Sequence, residues 1–126
     1  MLLCHVDADR SPTFKSLVAS LRKRFRHIDD DLREIWPDIA QDYRNARGAE
    51  SIPGFANTVY KYRAKCSDSN KGSRGGYRVI GYYHQEANTL YPIYIYSKLD
   101  QSDVSAKTVT ATVKELTQMS LDIPPQ

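Results

Sequence analysis

The sequence predicts an α+β domain: an antiparallel sheet of about four strands, with an N-terminal helical hairpin and a C-terminal helix. Two segments before Gly48, and one after Ser102, carry apolar residues at the spacing of a helix face. From Ala56 onward the pattern switches to short runs of β-branched and aromatic residues. Between those runs lie Gly, Asn and Ser clusters of the kind that close hairpins.

In chain order, residues 2–7 read as a short strand, and Asp9 or Ser11-Pro12 as a helix start. Phe14, Leu17, Val18, Leu21 and Phe25 then mark the buried stripe of an amphipathic helix with a basic outer surface. Asp29–Asp31 are placed to cap a second helix with Leu32, Ile35, Trp36 and Ile39 facing inward, and Pro37 predicts a kink or split within it. Ile52-Pro53-Gly54-Phe55 is turn chemistry. Strands follow over Thr58–Cys66, Tyr77–His84 and Leu90–Tyr96, joined by the polar loop SDSNKGSRGG and a tight turn at Gln85–Asn88. Pro92 points to a strand beginning or an exposed edge. Ser102 or Asp103 is placed to cap the last helix, and residues 120–126 read as a tail after a single domain spanning 1–126.

The 126 residues are enough for one modest core without disulfides or metals. With 40% apolar and 26% charged residues the composition is that of an ordinary globular protein. No apolar run reaches the roughly 20 residues that span a bilayer. The start, MLLCHVDADR, has no basic region ahead of its apolar stretch and does not read as a signal peptide. Cys4 and Cys66 show no secreted disulfide framework. A reduced, cytoplasmic protein without a membrane partner is expected.

The net charge of +3 is mild, but residues 60–78 hold six cations, Lys61, Arg63, Lys65, Lys71, Arg74 and Arg78, against Asp68 alone. Such asymmetry suits a polyanion. Strand alternation places Val59, Lys61, Arg63 and Lys65 on one face and Tyr60, Tyr62, Ala64 and Cys66 on the other. A row of cations along a strand is also what a solvated sheet face looks like, and both readings stand at this point. Arg78 follows Gly75-Gly76-Tyr77, where paired glycines permit unusual backbone geometry or close approach of a ligand. Eight of the nine tyrosines fall in the strand region, some as core and others free to stack on bases. Walker, HExxH, GxSxG and paired-Cys zinc patterns are lacking, and His5, His27 and His84 are scattered, so neither metal nor cofactor is expected.

The run IPGFANTVYKYR, KGSRGGYRVIGYYH and LYPIYIYSKLDQSDVS, about residues 52–105, resembles the RelE/ParE toxin superfamily of type II toxin–antitoxin systems, particularly its RelE-like and HigB-like branch. It is similar to a "vyKvR" strand, a "GkSGGyRviyy" hairpin and an "iYsK" strand end followed by "e.dls". The resemblance implies a RelE-like domain that acts as a ribosome-dependent messenger endoribonuclease, or mRNA interferase. A ribose 2′-OH would attack the adjacent phosphate to give a cyclic phosphate and a free 5′-OH. By motif match it implies Lys61, Arg63 and Arg78 as catalytic, with Lys61 or Arg63 as phosphate ligand or base and Arg78 stabilising the transition state. A basic Lys61 would need its pKa lowered by neighbouring cations. Lys65, Lys71, Arg74, Lys98, Tyr94 and Tyr96 are the candidate RNA-binding residues.

Leu99 and Ser105 stand where the best-studied branch carries an arginine and a tyrosine, which leaves the acid for the leaving group open unless a strand tyrosine such as Tyr94 or Tyr96 substitutes. The same likeness covers a ParE-like topoisomerase inhibitor and an inactive RNA-binding relative. The partners it implies are a cognate antitoxin protein, the ribosome and messenger RNA.

Overall fold

The computed structural model describes residues 3–69 and 75–119. The chain runs β1 (His5–Val6), α1 (Pro12–Arg22), α2 (Ile28–Gln41), a 3-10 turn (Ala46–Gly48), β2 (Glu50–Ser51), β3 (Val59–Ala64), β4 (Tyr77–His84), β5 (Thr89–Ser97) and α3 (Ala106–Gln118). One sheet contains all five strands in the order β1-β5-β4-β3-β2. The α+β class and the β3–β4–β5 meander agree with the sequence. The expected antiparallel sheet of about four strands is instead mixed, because β1 pairs in parallel with β5 and the two-residue β2 extends the other edge.

The first two helices do not form a self-contained hairpin: α1 packs on β5, and α2 on β1 and β3. Ser11 caps α1, its Oγ accepting the Phe14 N–H at 3.1 Å, and Pro12 occupies the first turn. Asp29–Asp31 lie inside the first turn of α2 after His27, so they serve its dipole rather than cap it. Pro37 does not split α2, which continues unbroken to Gln41. Pro37 is exposed, so water can serve the backbone carbonyl that its missing N–H leaves unpaired. At the far end Ser105, not Ser102 or Asp103, caps α3 by accepting the Thr108 N–H.

Both faces of the sheet carry a core. Under α1 and α2, Phe14, Val18, Leu21, Ile28, Leu32, Ile35 and Ile39 pack on Tyr60, Tyr62, Ala64, Tyr77, Val79, Leu90 and Ile95. Under α3, Val109 and Leu116 cover Val59, Ile80, Tyr91 and Ile93. α3 is also tied to α1, because Glu115 Oε1 accepts from Thr13 Oγ1 at 2.8 Å. The second face of β3 is therefore dry at Val59 and open farther along.

β5 owes its shape to an irregularity. Gly81 pairs with Pro92 and Ile80 with Tyr94, leaving Ile93 as an extra residue. Leu90 and Ile95 consequently reach the first core, while Tyr91, Ile93 and Tyr94 reach the second. This bulge reverses the side-chain alternation of the strand's second half. Pro92 is tolerated because β1 covers only Thr89 and Leu90, which leaves the outer edge of β5 open at the proline.

The loop entering β4 is anchored at its start. Asp31 Oδ2 accepts the Ser67 N–H at 2.9 Å and its hydroxyl at 3.1 Å. Asp68 accepts the His27 N–H at 2.8 Å. At the loop's end, Gly76 is required by close packing: a Cβ there would collide with the Ala64 carbonyl oxygen of β3. The close approach anticipated from the glycine pair is thus made by the protein's own backbone. Cys4 and Cys66 are both buried and free. Gly76→Ala is expected to lower unfolding stability by about 1–3 kcal/mol, as overpacked sites do. Urea denaturation measures this, and an unchanged midpoint would contradict the close contact.

Candidate functional site

The β3–β4–β5 register builds a cationic face. Lys61 lies opposite Ile80, which lies opposite Tyr94. In the next row Arg63 lies opposite Arg78, and Arg78 opposite Tyr96. Directly paired residues share a sheet face, so Lys61, Arg63, Arg78, Tyr94 and Tyr96 meet beyond the edge of the α3 core.

Each has a distinct environment. Arg78 is 8% exposed and bonds through Nη1 to the Tyr77 carbonyl at 3.2 Å. Burial and then the Arg63 guanidinium hold its pKa below the usual arginine value. Arg63 is exposed, its stem lying along Gly48, whose φ of +65° and confined Cα both favour glycine. Tyr94 packs against the second core and tilts toward Tyr96, with ring centroids 6.3 Å apart. Tyr96 is 3% exposed, and its buried hydroxyl has no hydrogen-bond partner among the described residues. Burial pushes the Tyr96 phenol's pKa up, with Lys61 and Arg78 pulling against that and Asp103 and Glu50 reinforcing it.

Lys61 departs from expectation. Its Nζ donates to Asp103 Oδ1 at 3.0 Å. Burial acts to lower its pKa, but the Asp103 bond, with help from Tyr96 and Glu50, outweighs it and leaves the pKa above the ordinary lysine value. Lys61 is therefore held as an ammonium at neutral pH, a state that can pair with an anion but does not accept a proton. Asp103 is held below the usual carboxylate range by Lys61 and by the Val104 N–H.

The remaining candidates divide. Lys65 lies just past β3 and is exposed. Lys98 is turned to the Ser102 carbonyl at 2.9 Å, where it braces the loop leading to α3. Lys71 and Arg74 lie outside the described residues. Glu50 and Asp103 are the acidic members that the sequence reading missed. Asp103 had been assigned to helix capping, and Glu50 sits in a strand of only two residues opposite Lys61.

The site is partly open, with Arg63 exposed and Lys61 half-buried beside the buried Arg78 and Tyr96. A cleft of about 600 Å³ is lined by Tyr43, Arg44, Asn57, Tyr83 and Asn88 among others, and among the described residues it holds neither Lys61, Arg63 nor Arg78. A smaller one of about 240 Å³ runs between α1 and the open edge of β5 and touches Tyr94 and Tyr96. Among the described residues no group of three or more His, Cys, Asp or Glu is placed to hold a metal ion. No helix among them is long and apolar enough to cross a membrane. The cationic face can bind an extended anion and place two adjacent phosphate-charge ligands beside a carboxylate. No protein-family model matches the chain, and no curated protein matches it.

Removing the Asp103 carboxylate leaves burial less opposed at Lys61. Asp103→Asn is expected to lower the Lys61 pKa, read by NMR titration of its side-chain methylene carbons. An unshifted titration would show that Asp103 does not set it.

Proposed function

We propose that this chain is a ribosome-dependent messenger endoribonuclease of the RelE/ParE superfamily, in its RelE-like or HigB-like branch. The reading is supported above all by one observation: Lys61, Arg63 and Arg78 converge on one sheet face beside Tyr96 and Asp103, with Arg63 exposed, Lys61 half-buried and Arg78 buried. A cationic surface outside an enclosed cavity suits a polymer better than a small molecule, which is ordinarily enclosed. The motifs quoted from residues 52–105 belong to the same reading.

Lys61 and Arg63 bind the scissile phosphate, and Arg78 meets the charge that develops on its oxygens as the fifth bond forms. Arg78 is largely desolvated, so its attraction for that charge is weakly screened. The 2′-OH gives its proton to Asp103 as the 2′-oxygen attacks. When phosphate draws Lys61 away, Asp103 loses the partner that depresses its pKa and becomes a better acceptor. The products are a 2′,3′-cyclic phosphate and a 5′-OH. A cognate antitoxin completes the reading, with the ribosome presenting the messenger, in the cytoplasm.

A second reading, an RNA-binding relative that does not cut, is favoured by Leu99 and Ser105 at the two divergent positions. A ParE-like inhibitor would instead disturb DNA supercoiling.

Purified protein added to a reconstituted translation reaction is expected to produce new messenger 5′ ends that depend on ribosomes. Arg78→Ala should slow cutting by about 10²–10³-fold, the scale for losing one preorganised charge-stabilising group. Lys61→Ala and Arg63→Ala should weaken it too. Undiminished cutting in all three variants would overturn the assignment, and intact messenger would favour the binding reading.

A further inference from the structure

We infer that Tyr96 is the proton donor to the departing 5′ oxygen, an assignment that rests on the RNA-cleavage reading above. Tyr96 Oη is the buried side-chain polar atom left without a partner among the described residues. Leaving a buried hydroxyl unpaired costs about 1–3 kcal/mol, so such an atom calls for an explanation. Other tyrosines of the sheet are satisfied: Tyr60 donates to the Asn57 carbonyl, Tyr62 to the Tyr43 carbonyl, and Tyr83 to Asn88 Oδ1. Tyr96 is also the tyrosine paired directly with Arg78. The bulge at Ile93 carries it there, since regular alternation from Leu90 would turn it to the opposite face.

The neighbouring groups are poorer donors. A guanidinium does not release a proton under ordinary conditions, which removes Arg63 and Arg78. Lys98 is engaged with the Ser102 carbonyl. Lys61 is paired with Asp103 before RNA binds and with the scissile phosphate afterwards, so an anion holds its proton in place throughout. Burial keeps the Tyr96 phenol protonated at neutral pH, donation requires that bound RNA open the cover over this hydroxyl, and a 5′ alkoxide is a far stronger base than a phenolate.

The bond from the 2′ oxygen to phosphorus forms and the bond from phosphorus to the 5′ oxygen breaks. The 2′ proton passes to Asp103, and the Tyr96 proton passes to the departing oxygen. The resulting phenolate lies in the field of Lys61 and Arg78, which favours it. Asp103 then loses its proton to water and Tyr96 regains one, so no other reactant is consumed.

The test replaces the leaving oxygen by sulfur. Ribosomes are programmed with a short messenger carrying one bridging 5′-phosphorothiolate at the cleavage position, or its ordinary phosphodiester counterpart. A thiolate departs without being protonated. Tyr96→Phe is expected to slow cleavage of the oxygen linkage by about 10²–10⁴-fold, the span of general acid catalysis. On the sulfur linkage it should match the unmodified enzyme within a few-fold, while Arg78→Ala stays slow on both. Equal slowing of Tyr96→Phe on both linkages, with its circular dichroism unchanged, would mean a positioning role and overturn the assignment. Full activity on oxygen would overturn it as well. If the unmodified protein cuts neither messenger, the cleavage reading falls and takes this assignment with it.

Discussion

Arg63 stands directly across from Arg78 on adjacent strands, an arrangement that repels and costs about 0.2–1 kcal/mol. Its register is imposed from the other side of the sheet. There Tyr62 opposes Val79 and Ala64 opposes Tyr77, all buried under α1 and α2. Slipping β4 by one residue would relieve the arginines but turn Tyr77 and Val79 out of the first core and Ile80 out of the second. The first core thus forces the cations together. Gly76 reinforces the choice, because its Cα fits against the Ala64 carbonyl only as a glycine.

The opposite face shows why the cations remain open to a ligand. α3 covers Val59, Ile80, Tyr91 and Ile93 and stops short of the Arg63–Arg78–Tyr96 row. Arg78 is nevertheless buried, and among the described residues its side chain donates to the Tyr77 carbonyl. A charge so placed is poorly solvated and strongly drawn to an anion. Lys61 has its own anion in Asp103, and the pair is partly exposed, so it contributes little to stability. It is correspondingly easy to exchange for a phosphate.

Much of this could be read in advance because it follows local rules. The alternation of Val59–Cys66 assigned Tyr60, Tyr62, Ala64 and Cys66 to one face, and all four lie in the first core. Ser11-Pro12 began α1 as its chemistry suggests. What could not be read depends on distant partners. β1 and β2 are two residues each, below any periodicity, and exist because β5 and β3 offer ladders to them. The Ile93 bulge shows no sequence mark beyond Pro92 and Gly81, so periodicity alone would have separated Tyr96 from Arg78. Asp103 resembled a helix cap, and its pairing with Lys61 spans 42 residues of sequence.

That long-range pair gives the last segment of the chain its meaning. Lys98 donates to the Ser102 carbonyl, Gln101 to the Asp103 carbonyl, and the Val104 N–H to the Asp103 carboxylate. Ser105 then caps α3, whose Glu115 is tied back to Thr13 at the start of α1. Asp103 is thereby held between a helix docked on the second core and a strand ending beside Arg24, which pairs with Asp100 at 2.7 Å. Lys98 is thereby tied to the backbone that leads to Asp103. The carboxylate and Lys61 are thus brought together across 42 residues of sequence, by a loop fixed between the end of β5 and the cap of α3.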